Sequence, residues 1–218
     1  MSIKHHISDE LLASYAAGNL SEGWSIAVAS HLSLCPDCRT RLHEIECVGG
    51  ALLEELPESD IEQSSWNSIL LRLDDDVQVK PTPKNHYSDK TPIFPQPLRD
   101  YIGGDVESVR WRNLGRGAYQ LVIPTGDKST TVRLLKIPAG KPVPEHGHGG
   151  RELTLVLSGS FADGDDVFAR GDIEEADSDL IHQPVATPDA DCICLAVTDA
   201  PLKFQSWVVR LVQTILGI

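Results

Sequence analysis

The chain has 218 residues, 41% of them hydrophobic, which is enough for one large domain or two small ones with real cores. Its formal charge of −13 argues against general binding to nucleic acid, because such binding needs Lys and Arg to neutralise phosphate. No apolar run reaches the roughly 18 residues that a membrane span requires. There is no signal-peptide pattern, and an odd number of cysteines, five, favours reduced thiols, so we expect a cytoplasmic protein.

The first 76 residues have the hydrophobic spacing of four short helices. Ser8 is a natural N-cap for the first helix, and the second begins near Ser21. Pro36 opens the third helix, and the fourth follows Glu62. Four short helices in so few residues make a marginal core, so we expect an additional source of stability in this segment.

The same segment carries most of the negative charge. Residues 1–76 contain four Lys or Arg and fourteen Asp or Glu, a net charge of −10, whereas the other 142 residues carry −3. An acidic domain favours a basic partner, because complementary fields speed encounter and disfavour wrong partners. Plain solubility explains the charge equally well.

A compact group of metal-ligand residues lies between the second and third predicted helices. His31, Cys35 and Cys38 follow the pattern His-x3-Cys-x2-Cys, in which two thiols and an imidazole one helical turn upstream converge. Structural zinc sites usually close with four ligands, and the nearest candidates for the fourth are His5 and His6. We interpret the group as a structural zinc site, because bound metal adds to the folding free energy. The alternative is an ordinary capped helix start.

The periodicity changes after the fourth helix. Five prolines lie within residues 77–97, a composition typical of an extended linker that does not pack. From residue 98 onwards many short runs predict strands without intervening helices, as in a sandwich or barrel. Residues 204–218 have the spacing of a terminal helix that packs on the barrel. The predicted organisation is a helical zinc-binding domain in residues 1–76, a proline-rich linker and a β domain in residues 98–218.

A second set of potential metal ligands lies in the β domain. His146 and His148 are two residues apart, so on an extended strand they point to the same side. A Gly-Gly turn can bring Glu152 back towards them, and His182 lies at the start of another predicted strand. Three imidazoles and a carboxylate facing a barrel interior could bind zinc, iron, manganese or nickel. The alternative is a glycine-rich loop with surface histidines.

Two further cysteines occupy one predicted strand. Cys192 and Cys194 point to the same face of it. Near a metal they would be oxidisable thiols, which would suit a redox role. We favour the alternative, in which they are small buried hydrophobic residues, because unliganded cysteine packs well in cores.

Residues 140–159 match the first cupin motif, Gly-x5-His-x-His-x3-Glu-x6-Gly, along its full length. The second cupin motif is looser: Gly171 and His182 fit, while Ala169 and Ala186 stand where proline and asparagine are usual. This similarity implies that the β domain is a cupin β-barrel or jelly roll.

The pairing of a helical His-x3-Cys-x2-Cys domain with a proline linker and a cupin domain resembles the ChrR-type zinc-binding anti-sigma factors over essentially the whole chain. The resemblance implies a structural zinc held by His6, His31, Cys35 and Cys38. It also implies a second divalent metal, with zinc favoured, held by His146, His148, Glu152 and His182.

The resemblance further implies an activity. Members of this family sequester an extracytoplasmic-function sigma factor in a protein heterodimer and release it under oxidative stress from singlet oxygen. The helical domain would bind the sigma factor, the cupin domain would be needed for the signal, and neither catalysis nor direct DNA contact is required. The alternative is a metal-dependent cupin enzyme, such as a dioxygenase or isomerase, with an accessory zinc domain.

Overall fold

The computed structural model describes residues 2–74, 91–201 and 203–204. The chain divides into two compact units. One unit combines the described residues up to Glu46 with those from Pro92 onwards, and the other lies between Cys47 and Thr91. The first unit therefore contains the first two helices, most of the potential metal ligands and every strand that the structure describes.

The four helices predicted in the N-terminal segment are present. They are α1 (Asp9–Ala16), α2 (Glu22–Leu34), α3 (Pro36–Glu54) and α4 (Gln63–Asp74). Ser8 is the N-cap of α1, where its side chain accepts a hydrogen bond from the backbone N–H of Leu11. Pro36 occupies the first position of α3, where its missing N–H costs no helical hydrogen bond.

The C-terminal end of the predicted linker belongs to the fold. A fifth helix, α5 (Gln96–Ile102), begins inside it, and Phe94 just before this helix is 1% exposed. Asp105 accepts hydrogen bonds from the backbone N–H groups of Ile93 and Phe94 at 2.8 and 2.9 Å. The prediction of an unpacked linker is therefore wrong for residues 92–97, because a buried aromatic side chain outweighs the proline composition. Residues 75–90 lie outside the described residues, as does the predicted terminal helix of residues 204–218 from residue 205 onwards. Phe204 itself lies in a short strand.

The β domain contains twelve strands in the described part of the chain. They are β1 (Arg112–Gly115), β2 (Ala118–Ile123), β3 (Thr131–Ile137), β4 (His146–Gly147), β5 (Glu152–Ser158), β6 (Ser160–Asp163), β7 (Asp166–Ala169), β8 (Ile173–Ala176), β9 (Ile181–His182), β10 (Val185–Ala186), β11 (Cys192–Thr198) and β12 (Lys203–Phe204). The predicted class, helices followed by a strand-rich cupin-like domain, is confirmed.

The strands form three antiparallel sheets. The large sheet has the order β1-β2-β3-β11-β5-β8, and the small sheets have the orders β10-β6-β7 and β12-β4-β9. Central β11 is buried along its whole length between β3 and β5. In the third sheet His146 of β4 lies directly opposite His182 of β9, so backbone pairing places these two histidines side by side.

One hydrophobic core joins the first helices to the large sheet. Buried residues of α1 and α2 belong to the same cluster as buried residues of β3, β5 and β11, among them Leu12, Ile26, Val28, Leu134, Leu155 and Leu195. Helix α2 is buried around most of its circumference, which is typical of a helix covered on several sides. The helices up to Leu34 therefore share the core of the strands, and this burial supplies the stability that a separate small core would lack.

Among the described helices, none combines the length and the apolar character that a membrane crossing requires.

The packing of α2 on β3 leaves no room for a side chain at Gly23. A Cβ atom there would collide with Thr130 Oγ1 and lie 2.9 Å from Val132 Cγ2. Because both neighbours are β-branched and stiff, we expect Gly23→Ala to lower the free energy of unfolding by about 1–3 kcal/mol. Urea denaturation measures this change.

The control is Gly49→Ala, at a helical position with nothing within 4 Å of the added methyl group. It should leave stability unchanged or raise it by roughly 0.5–1 kcal/mol through helix propensity. A Gly23→Ala variant as stable as the wild type would contradict the close packing of α2 on β3.

Candidate metal centres

Four residues form a compact group of nitrogen and sulfur atoms at the junction of α2 and α3. One ligand atom from each of His6, His31, Cys35 and Cys38 lies within 4.8 Å of the others. The Cys35 Sγ atom is 3.3 Å from His6 Nδ1, and Cys38 Sγ is 3.3 Å from His31 Nε2. Two thiols and two imidazoles at such distances can converge on one tetrahedral metal ion.

The local sequence explains how three of these residues meet. Cys35 has an extended backbone between the two helices, and its N–H donates to the carbonyl of His31 at 2.8 Å. The N–H of Cys38, in the first turn of α3, points at Cys35 Sγ over 3.4 Å. The spacing His-x3-Cys-x2-Cys was sufficient to predict this part of the group.

The structure brings His6, and not His5, to the group. The His5 ring lies against the ring of Phe168, with centroids 4.1 Å apart and the two planes tilted by 33°. Adjacent residues of an extended segment point to opposite sides, so His6 faces the two cysteines. The sequence left both histidines open as the fourth ligand, and the position of the segment on the β domain separates them.

The segment that carries His6 is attached to the turn before β8. Asp172 Oδ1 accepts hydrogen bonds from the N–H groups of Lys4 and His5 at 2.6 and 3.0 Å. Its other oxygen accepts from the N–H of Ala169 at 2.8 Å, and Ile173 N–H donates to the His5 carbonyl at 3.3 Å. Asp172 is 2% exposed. A buried carboxylate with three backbone donors thus holds His6 next to the cysteines.

Burial sets the protonation of this group. It lowers the pKa of His31 to about 4, so at neutral pH the imidazole is neutral and has a free lone pair. Burial, together with the neighbouring Cys35, raises the pKa of Cys38 to about 11. A metal ion binding here would therefore displace a thiol proton, and its affinity would rise with pH.

Three histidines form a second group inside the β domain. The Nε2 atom of His182 lies 3.0 Å from His148 Nε2 and 3.2 Å from His146 Nε2. All three are at most 7% exposed. Three imidazole nitrogens pointing at one place can bind one face of a divalent metal ion.

Glu152, the fourth residue predicted for this site, lies beside His148. Its Oε2 is 3.4 Å from His148 Nδ1, on the outer edge of that ring, and its Oε1 accepts from Thr154 Oγ1 at 2.8 Å. Burial raises the pKa of Glu152, but the hydrogen bond and charge of His148 more than offset this, and its pKa is lowered overall. The group of converging nitrogens contains the three histidines without Glu152, which stays a predicted ligand.

Two acidic residues near His182 were not anticipated from the sequence. Asp163 Oδ2 lies 2.6 Å from His182 Nδ1, and Glu174 Oε1 lies 3.9 Å from the same atom. Burial and a hydrogen bond with Asp163 raise the pKa of Glu174 to about 8. These residues come from β6 and β8, and no sequence spacing links either strand to His182. The sequence therefore carried no signal for this contact.

Cys192 and Cys194 share one face of β11, as predicted. Their sulfur atoms are 3.4 Å apart, and both residues pack with Val156, Phe161 and Phe168. The hydrogen bond to Cys192, reinforced by burial, raises the pKa of Cys194 well above its usual value. Because the thiolate is the reactive form, these surroundings favour inert, packed thiols.

The strands and the histidine group define a cupin-like domain, and comparison with known proteins agrees. Residues 100–201 match the family model described as the ChrR cupin-like domain. Over all 218 residues, and the full length of the relative, the chain is 50% identical to the anti-sigma-E factor ChrR of Cereibacter sphaeroides. The protein therefore belongs to the ChrR family.

A solved structure of the family shares the fold. The chain is similar to one in the crystal structure of Rhodobacter sphaeroides SigE in complex with the anti-sigma ChrR, with a TM-score of 0.80 and 49% identity. The match covers 91% of this chain and 100% of that chain.

Because Asp172 holds the N-terminal segment, we predict that the position of His6 depends on this carboxylate. Asp172→Ala leaves three backbone donors without their acceptor, so we expect the free energy of unfolding to fall by about 2–3 kcal/mol. We also expect metal bound near Cys35 and Cys38 to be lost more readily, measured as faster reaction of these thiols with a thiol reagent.

Asp177→Ala is the matched control, because Asp177 is exposed and its carboxylate accepts a hydrogen bond from the nearby N–H of Asp179. This variant should change neither the free energy of unfolding nor the rate at which Cys35 and Cys38 react with the thiol reagent. Full protection of both cysteines in Asp172→Ala would show that His6 keeps its place without this carboxylate.

Proposed function

We propose that this protein is an anti-sigma factor that binds and inhibits an extracytoplasmic-function sigma factor in a protein heterodimer. The observation that carries the proposal is the 50% identity to an anti-sigma-E factor over the full length of both chains. The fold shared with ChrR from the complex with SigE supports the same partner class. Such a protein regulates transcription negatively and needs no catalytic group, so the family relationship supports a non-enzymatic role over a cupin enzyme.

The second compact unit supplies an apolar surface for the sigma factor. Ten large hydrophobic side chains between Val48 and Leu73 are 43–80% exposed, among them Leu52, Leu53, Trp66, Ile69 and Leu70. An exposed apolar surface of this extent is typical of a protein–protein contact. Residues 47–74 also contain six acidic residues and one basic residue. Apolar residues with negative charge around them suit the basic DNA- and polymerase-binding faces of a sigma factor.

The group at the α2–α3 junction is proposed to hold zinc. Two thiolates and two imidazoles fill all four positions of a tetrahedral ion, which is the ligand set of structural zinc and leaves no position for a substrate. His6, His31, Cys35 and Cys38 would then tie the N-terminal segment to two helices. In this proposal the zinc stabilises the region from which α3 leads into residues 47–74.

The histidine group of the β domain is proposed to hold a second divalent metal, for which zinc is the favoured candidate. His146, His148 and His182 would supply three nitrogens, and Glu152 is the predicted fourth ligand. We propose that this domain is needed for release of the sigma factor under oxidative stress from singlet oxygen, whereas residues 1–76 make the contact that inhibits it.

Binding to a sigma factor tests the proposal directly. The full-length, zinc-loaded protein should bind R. sphaeroides SigE and reduce transcription from a SigE-dependent promoter in vitro. Trp66→Ala should weaken binding by about 30-fold, because a central aromatic residue of an interface typically contributes 2 kcal/mol or more. Equilibrium titration with labelled SigE gives both affinities.

Val122→Ala on β2 is the control, since Val122 is 44% exposed but lies in the β domain. It should bind like the wild type. A folded wild-type protein that binds no SigE would contradict the anti-sigma proposal for this partner, and a Trp66→Ala variant of wild-type affinity would contradict only the assigned surface.

The packed state of Cys192 and Cys194 predicts that they are not the oxidised groups. A variant with alanine at both positions should release SigE after exposure to photosensitised singlet oxygen to the same extent as the wild type. The fraction of complex remaining after illumination is the measurement. Loss of the response in a variant that still binds SigE would instead assign a redox role to these thiols.

A further inference from the structure

Asp163 links two sheets of the β domain through His182. Asp163 is the last residue of β6, in the sheet β10-β6-β7, whereas His182 belongs to β9, in the sheet β12-β4-β9. Asp163 Oδ2 and His182 Nδ1 are 2.6 Å apart, and the two side chains are 14% and 4% exposed. A contact this short and this well buried is a charge-assisted hydrogen bond rather than a surface ion pair.

The hydrogen bond to Asp163 determines which nitrogen of the His182 ring is available to bind a metal. With Nδ1 donating its proton to Asp163, the lone pair of His182 is on Nε2, the atom that faces His146 and His148. A carboxylate on the far nitrogen also makes the imidazole a more basic ligand. Glu174 is 3.9 Å from the same Nδ1, too far for a hydrogen bond, so Asp163 alone of the two accepts this proton.

The three histidines are held in different ways. His146 Nδ1 lies 2.9 Å from the backbone carbonyl of Pro144, a neutral acceptor two residues earlier in the chain. His182 depends on a charged residue from another sheet, 19 residues away in sequence. His148 Nδ1 lies 3.4 Å from the carboxylate of Glu152, so His182 is the histidine whose ring orientation depends on Asp163.

We infer that Asp163 is a positioning residue of the cupin metal centre, which holds the His182 ring with Nε2 directed at His146 and His148. The inference rests on the proposed second metal. In this inference Asp163 acts on the cupin metal through the Nδ1 atom of His182. Removing its charge weakens the site without removing any of the three histidines.

The test compares Asp163→Asn with the wild type in the full-length protein. Asparagine keeps the size of the side chain and an oxygen acceptor, but not the charge. Loss of an outer partner typically costs 10–100-fold in metal affinity, and we expect a weakening in that range for zinc at the cupin site. Zinc is titrated against a competing chelator, and protection of Cys35 and Cys38 from a thiol reagent reports the other site separately.

A spectroscopic measurement separates positioning from general stability. With cobalt(II) in place of zinc, the d–d bands of the cupin site should shift in Asp163→Asn, because the field of the His182 nitrogen changes. Asp163→Glu should restore part of the affinity, since it returns the charge. Asp165→Asn, at an exposed neighbouring carboxylate, is the charge-matched control and should behave like the wild type.

Each outcome decides the inference. Wild-type affinity and an unshifted cobalt spectrum in Asp163→Asn would overturn it, as would equal weakening in Asp165→Asn, which would indicate a general effect of charge. A wild-type protein that binds zinc only at the cysteine group would overturn the proposed cupin metal together with the role of Asp163. Two zinc ions in both wild type and Asp163→Asn, with equal affinities, would overturn the role of Asp163 alone.

Discussion

The attachment of residues 3–8 to the β domain is the constraint on which the N-terminal metal group depends. Without it, His6 would lie on a free chain end, and ordering that end around a metal would cost conformational entropy at every residue. Asp172 removes much of this cost, because it already fixes the segment through the N–H groups of Lys4 and His5. The fourth residue of this candidate metal group is thus positioned by a turn of the cupin-like domain.

The beginning of β8, directly after Asp172, also lies close to the histidine group. Asp172 precedes β8 and holds the His6 segment, while Glu174 within β8 lies beside Asp163 and His182. One cavity of about 1050 Å³ is lined by both His6 and His182. Because the two groups share a strand and a cavity, a displacement of β8 would alter the surroundings of both. The two candidate metal centres are therefore neighbours in one compact unit, although they are far apart in sequence.

Sequence patterns predicted which residues close in sequence come together in the two candidate sites. They predicted few of the contacts between residues that are far apart in sequence. His31, Cys35 and Cys38 lie within eight residues, and His146 and His148 are two residues apart, so their spacing was sufficient to predict that each set comes together. The distinction between His6 and His5, and the presence of Asp163 beside His182, depend on which strand lies next to which. The shared core has the same origin: the apolar residues of α2 show that the helix is buried, but not that a sheet covers it.

That shared core also restricts where a sigma factor can bind. Leu11, Leu12, Ile26 and Val28 are already buried in the cluster that includes the large sheet, so α1 and α2 have little apolar surface left to offer a partner. To contact these residues, a partner would have to separate the helices from the sheet, which would expose the buried apolar residues of both. The large hydrophobic residues between Val48 and Leu73 carry no such cost, because they are exposed before any partner arrives. The acidic charge predicted to attract a sigma factor and the apolar residues available to hold it therefore coincide in the segment that follows the metal group.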